Sequence, residues 1–101
     1  MIALLGEMTL PPELMGAFER EVAAMRSKVL AEQGCHHYSL LIEDRAAGLV
    51  NVAEVWDDDA ALVVHMKQPW IGAFMARFGG HILGSTVMIH DIAGPPRPLA
   101  L

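Results

Sequence analysis

The sequence predicts an α+β domain with the element order β-α-β-β-α-β, an antiparallel four-stranded sheet with helices on one face. Three observations carry this expectation. Two runs rich in β-branched and aromatic residues, 35–42 and Leu49–Trp56, flank the polar turn Glu43-Asp44-Arg45-Ala46-Ala47-Gly48, the pattern of a hairpin. Helical spacing of apolar residues precedes this hairpin, and a second helical stretch carrying His65 follows it. Apolar, strand-like runs open and close the chain.

Taken in order, residues 2–10 are apolar with Glu7 and Thr9 interspersed, short enough for a strand and ended by Pro11-Pro12. Pro12 suits a first helical position because its fixed φ fits and its missing N–H would lack a partner there. From Glu13, the residues Leu14, Met15, Phe18, Val22, Met25 and Val29 make an apolar stripe for the core, while Glu19, Arg20, Arg26, Lys28 and Glu32 mark a wet face. Gly34 is expected to close this helix in the left-handed conformation. The hairpin follows. Its second strand runs into Asp57-Asp58-Asp59, where carboxylates accept bonds from free N–H groups at the positive end of a helix extending to about residue 67. Pro69 starts another short helical pattern through Trp70, Phe74, Met75 and Phe78, which Gly79-Gly80 stops. Residues 81–93 read as the last strand, with Gly84 and Ser85 hinting at a bulge. The domain is expected to span residues 1–94, with a Pro-rich C-terminal tail over 95–101 acting as a surface segment or an arm.

With 101 residues this is one domain, large enough for a real core. Its hydrophobic fraction of 53% exceeds the globular average of about 45–50%. The formal charge of −5 and the lack of a basic cluster exclude the phosphate-neutralising attraction that nucleic-acid binding requires. No positive n-region precedes the first apolar run, and no run approaches the roughly 20 residues a membrane helix needs, so no membrane partner and a cytoplasmic location are expected. The one cysteine, Cys35, has no intrachain partner and is expected to be a small buried hydrophobe.

The element order is that of the ferredoxin-like split unit. Two helices cover one face of such a sheet, yet these strands are apolar on both: Tyr38, Leu40 and Ile42 alternate with Cys35 and Leu41, and Val50 and Val52 with Leu49, Ala53 and Val55. The uncovered face therefore calls for a second copy packed sheet to sheet about a two-fold axis. Lysine at Val52 or Val55 is expected to act by different routes, one on the core and one on the interface.

The pieces Gly34-Cys35-x-x-Tyr38, Glu54-x-Trp56-x-Asp58, Ala61-Leu62-x-x-His65, Pro69 and Phe74, in this order, resemble the antibiotic biosynthesis monooxygenase (ABM) domain family. The resemblance implies a dimeric α+β barrel and the oxidation of phenolic or quinol-type aromatic molecules by molecular oxygen. It implies a cavity between the sheet and helices of each protomer and, in several members, no metal or flavin. The same family holds haem-degrading branches and small proteins of unknown role, so a non-catalytic dimeric small-molecule-binding or stress-response domain is the alternative function, with a haem-binding or haem-degrading protein behind it. The haem-degrading pattern includes an asparagine on the first strand, which residues 2–10 lack.

Glu54 and Trp56 lie two apart on one strand and share a face, and His65 lies just over two turns into the helix that would cover them. A cofactor-independent oxidation of a phenol calls for a base, an apolar cavity and a group that holds the oxyanion. His65 is the candidate base, alongside Glu54 as the second catalytic candidate. Tyr38 is the candidate hydrogen-bond partner, Trp56 a stacking wall and Phe74 a further substrate contact. The bland alternative is that His65 is a core residue bonded to Glu54 or backbone, with Trp56 and Tyr38 serving packing. Asn51 is five residues from Trp56, so strand parity puts it on the opposite face, although polyketide-tailoring relatives place an asparagine with the tryptophan. His36 and His37 are adjacent and no Cys/His spacing closes a zinc site, so no metal is expected. Ser27, Ser39 and Ser85 lack the glycine frame of a nucleophile elbow.

Overall fold

The computed structural model describes residues 1–101. It has strands β1 (Ile2–Thr9), β2 (Cys35–Asp44), β3 (Leu49–Trp56), β4 (Gly84–Ser85) and β5 (Met88–Asp91), with helices α1 (Met15–Leu30), α2 (Asp59–Met66) and α3 (Pro69–Phe78). The sheet is antiparallel in the order β2-β3-β1-β4, with β5 also pairing β1. This is the split β-α-β arrangement expected, since β3 lies between β1 and β2. No helix is long and apolar enough to cross a membrane.

The pleat sorts the two faces without interruption along β3. Val50, Val52, Glu54 and Trp56 are buried on the helix side, paired in register with Met8, Gly6, Leu4 and Ile2 of β1. Ala53 and Val55 lie on the other side with Leu5, Ala3 and His37, and Asn51 is exposed there opposite Glu7 and Leu41. On the helix side, Phe18 of α1 meets Phe74 and Phe78 of α3 with ring centroids 5.6 and 5.7 Å apart. Such tilted aromatic contacts bind α1 and α3 into one apolar layer over the sheet. The other face stays largely bare: Leu41 and Met88 are 64% and 65% exposed.

Three boundaries differ from expectation. The α1 pattern begins as a separate 3₁₀ turn, Pro12–Leu14, in which the Leu14 N–H donates to Pro11 O at 3.0 Å. α1 then ends at Leu30, not at Gly34. Gly34 instead bends the chain into β2 at φ +85°, where a Cβ would lie 2.8 Å from that of Ala61. α2 starts two residues beyond the first aspartate, at Asp59, with Asp58 as its cap: the Asp58 carboxylate accepts the Ala61 N–H at 2.9 Å, which leaves Asp57 to pair with His36.

The last strand is the larger correction. Residues 79–81 form a 3₁₀ turn, and β4 and β5 are two short pieces in place of one run over 81–93. The interruption sits where Gly6 of β1, at φ +154°, meets Thr86 and Val87, a contact with no room for a Cβ. Thr86 satisfies the gap, donating its N–H to Glu7 O and accepting the Glu7 N–H on its hydroxyl. Residues 95–101 are exposed and carry no regular structure.

Candidate functional site

α2 descends toward the sheet from its Asp58 cap, so its last turn presents His65 to the buried face of β3. The imidazole is 4% exposed and lies over the Trp56 indole, with ring centroids 4.5 Å apart and planes tilted by 41°. The Tyr38 ring is 5.8 Å away, edge on. Nδ1 of His65 is 3.0 Å from both carboxylate oxygens of Glu32, and Trp70 Nε1 donates to Glu32 Oε2 at the same distance. Trp56 Nε1 donates to Glu54 Oε1 at 2.9 Å, so each of the two buried carboxylates holds one indole. No buried side-chain nitrogen or oxygen lacks a partner. Nε2 of His65 bonds to no protein atom and is therefore open to the space beside it.

That space is a cavity of about 200 Å³ between the sheet and α2–α3. Val52, Ile71, Phe74, Ile82 and Val87 give it apolar walls, while Tyr38, Glu54, His65 and Ser85 supply its polar edge. Burial in this setting pushes the Glu54 carboxyl up from its ordinary value, against the lowering effects of the Trp56 bond and of His65, with Glu32 adding to the rise. Burial, with Glu54 and Glu32 nearby, also pushes the Tyr38 phenol far up, so it stays a neutral O–H donor. Cys35 is raised by burial and by the same two carboxylates, which suits a packing role and not a nucleophile.

Of the residues singled out from the sequence, Tyr38, Glu54, His65 and Phe74 border this one cavity. Trp56 does not: it is fully buried behind His65, so its indole supports the imidazole and is not a wall of the cavity. Glu54 bonds Trp56, while His65 bonds Glu32, which helical periodicity had placed on the wet face of α1. The helix stops at Leu30, so periodicity no longer governs position 32. Trp70 was likewise legible only as an apolar residue.

A larger groove of about 400 Å³ lies between α1 and β2, but its two charged side chains are already engaged. Arg26 donates to Tyr38 O and Glu19 accepts from Arg45. No cluster of three or more His, Cys, Asp or Glu side chains is placed to hold a metal ion.

Fold and site together define a ferredoxin-like α+β protein with a mainly apolar, partly open cavity between its sheet and helices. The chain belongs to the antibiotic biosynthesis monooxygenase family, whose sequence pattern matches residues 1–77. No curated protein matches it in sequence. Among solved structures, it is similar to a Pseudomonas aeruginosa protein at 26% identity, with a TM-score of 0.77 over 92% of this chain and 94% of that one. A Caulobacter crescentus protein bearing the same family name is 23% identical, with a TM-score of 0.79 over 92% and 90% of the two chains. A structure named antibiotic biosynthesis monooxygenase is 21% identical, with a TM-score of 0.79 over 93% of this chain and all of that one.

Proposed function

We propose that this protein is a monooxygenase that oxidises a small phenolic or quinol-type aromatic molecule with O2, with His65 as the base. The observation that carries the proposal is Nε2 of a buried histidine, free of protein partners, beside an apolar cavity that Tyr38 and Glu54 also border. Membership of the family supports the reaction class.

The chemistry balances without an added reductant. A hydroquinone and O2 give a hydroxyquinone and water, the ring supplying all four electrons. Nε2 takes one phenolic proton, and the phenolate that results passes an electron to O2. Recombination forms a C–O bond at the neighbouring ring carbon. The O–O bond then breaks as that carbon becomes a carbonyl. Its hydrogen and the distal oxygen leave as hydroxide, which recovers the proton from His65 as water. Tyr38, held neutral, donates to the substrate oxygen as charge develops on it and Phe74 packs against the ring, a reading supported by the position of both residues on the cavity border.

The working form in this proposal is a homodimer through the bare sheet face. Leu5, Leu41 and Met88 stand exposed there beside Ala53 and Val55, the kind of apolar patch that marks an association surface. Oxygen uptake by the purified protein with a panel of hydroquinones and anthrones tests the reaction. Substrate-dependent uptake is the expected result, and its absence across the panel would leave the cavity as a binding site.

A further inference from the structure

We propose that Glu32 is the positioning residue of this site: it fixes His65 with its proton on Nδ1 and so makes Nε2 the lone-pair atom offered to the cavity. The inference rests on the reading of His65 as the base, but its structural half stands apart from any reaction.

A neutral imidazole carries one N–H donor and one acceptor, and the partner of one nitrogen decides the role of the other. An ionised carboxylate only accepts. With Nδ1 at 3.0 Å from both Glu32 oxygens, the proton belongs on Nδ1 and the lone pair on Nε2. The pair is closed to water: the two side chains are 4% and 5% exposed. The carboxylate cannot swing away either, because Trp70 Nε1 donates to Oε2 at 3.0 Å. One carboxylate thus ties together the turn after α1, the end of α2 and the start of α3.

The remaining neighbours do not supply this function. Glu54 spends Oε1 on Trp56, and the Tyr38 and Trp56 rings touch the imidazole by their π-systems. Trp56 below and Glu32 at the side therefore fix the plane and the rotation of the ring, and only Nε2 is left unassigned. Glu32 does not border the cavity, so its contribution to catalysis passes through His65.

The test uses the full chain with ¹⁵N-labelled histidine, resolving His65 among the five histidines by its loss in His65→Gln. Long-range ¹H–¹⁵N spectra without substrate should show the neutral ring of His65 protonated on Nδ1. Glu32→Gln, whose amide can donate as well as accept, should shift that ring toward the Nε2–H form. It should also lower kcat by at least about 10-fold and up to about 10⁴-fold, the scale of leaving a base in the wrong tautomer, with KM little changed. Glu32→Asp, which keeps the charge on a shorter arm, should restore part of the Nδ1–H population. A wild-type His65 protonated on Nε2 would overturn the proposal, and so would a Glu32→Gln protein that keeps both the tautomer and kcat. If Glu32→Gln does not fold, the wild-type and Glu32→Asp spectra decide. If the wild type consumes no oxygen while His65 holds the Nδ1 proton, the assigned reaction fails and the tautomer assignment stands.

Discussion

Charge placed on opposite faces of β3 should separate folding from assembly. Val52, one of the two positions that strand parity offered, lies on the buried face but borders the cavity next to Glu54, where a lysine would find a carboxylate. Val50, two residues back on the same face, is completely buried and away from the cavity, so it is the cleaner core position. Val50→Lys gives up roughly 1.5–3 kcal/mol of side-chain burial. It also drives an ammonium into the apolar layer, at several kcal/mol. Together these approach the whole of a typical stability of about 5–15 kcal/mol. Val55 points to the bare face between Ala3 and His37, where a lysine stem lies along the sheet with its charge in water. The isolated protomer should tolerate Val55→Lys. In a face-to-face dimer, however, each copy would bring an ammonium into the interface, and even about 4 kcal/mol of penalty raises Kd roughly 1,000-fold. Circular dichroism melting and sedimentation velocity of both variants at micromolar concentration are the assays. The predicted outcome is an unfolded or strongly destabilised Val50→Lys and a folded, monomeric Val55→Lys. A Val55→Lys protein that remains fully dimeric would refute the assigned interface, and a stably folded Val50→Lys would refute the assigned core face.

Two further outcomes follow from local features. Burial raises the Glu54 carboxyl in the folded state above its ordinary value, so its contribution to stability is fully present below that ordinary value and is lost as pH rises through the folded pKa. Glu54→Gln can still accept the Trp56 N–H and does not titrate. Its melting temperature relative to wild type should therefore climb between pH 4 and pH 8, and a flat or falling difference contradicts the assigned burial. Gly48 sits at φ +70° with the position of a Cβ only 1.8 Å from Leu10 O, and its own carbonyl accepts the Leu10 N–H at 2.9 Å. Gly48→Ala should cost about 2–3 kcal/mol from the left-handed backbone and the lost hydrogen bond. That is a melting drop of roughly 10 °C or more, and an unchanged melting temperature would show that the turn relaxes freely.

What the sequence made legible followed from periodicity held over several residues. The alternation Val50, Val52, Glu54, Trp56 against Asn51, Ala53, Val55 assigned both faces of β3 and excluded Asn51 from the cavity, because a regular strand cannot break parity without a bulge. The helical stripe from Met15 to Val29 likewise placed α1 on the core. Short, contact-driven features were not legible. The split into β4 and β5 depends on the absence of a Cβ at Gly6, a residue some 80 positions away in sequence and adjacent only in the sheet. Glu32 was hidden for a similar reason, since its partners His65 and Trp70 are 33 and 38 residues downstream. Trp56 was assigned to the correct face but one layer too shallow, as parity gives direction and not depth.

The most direct measurement of the central claim is oxygen uptake by wild type and His65→Ala with the most active hydroquinone, together with melting curves for both. If Nε2 of His65 removes the phenolic proton, the variant should lose about 10²–10⁴-fold in turnover while remaining folded. A folded His65→Ala protein that turns over at the wild-type rate would contradict the account.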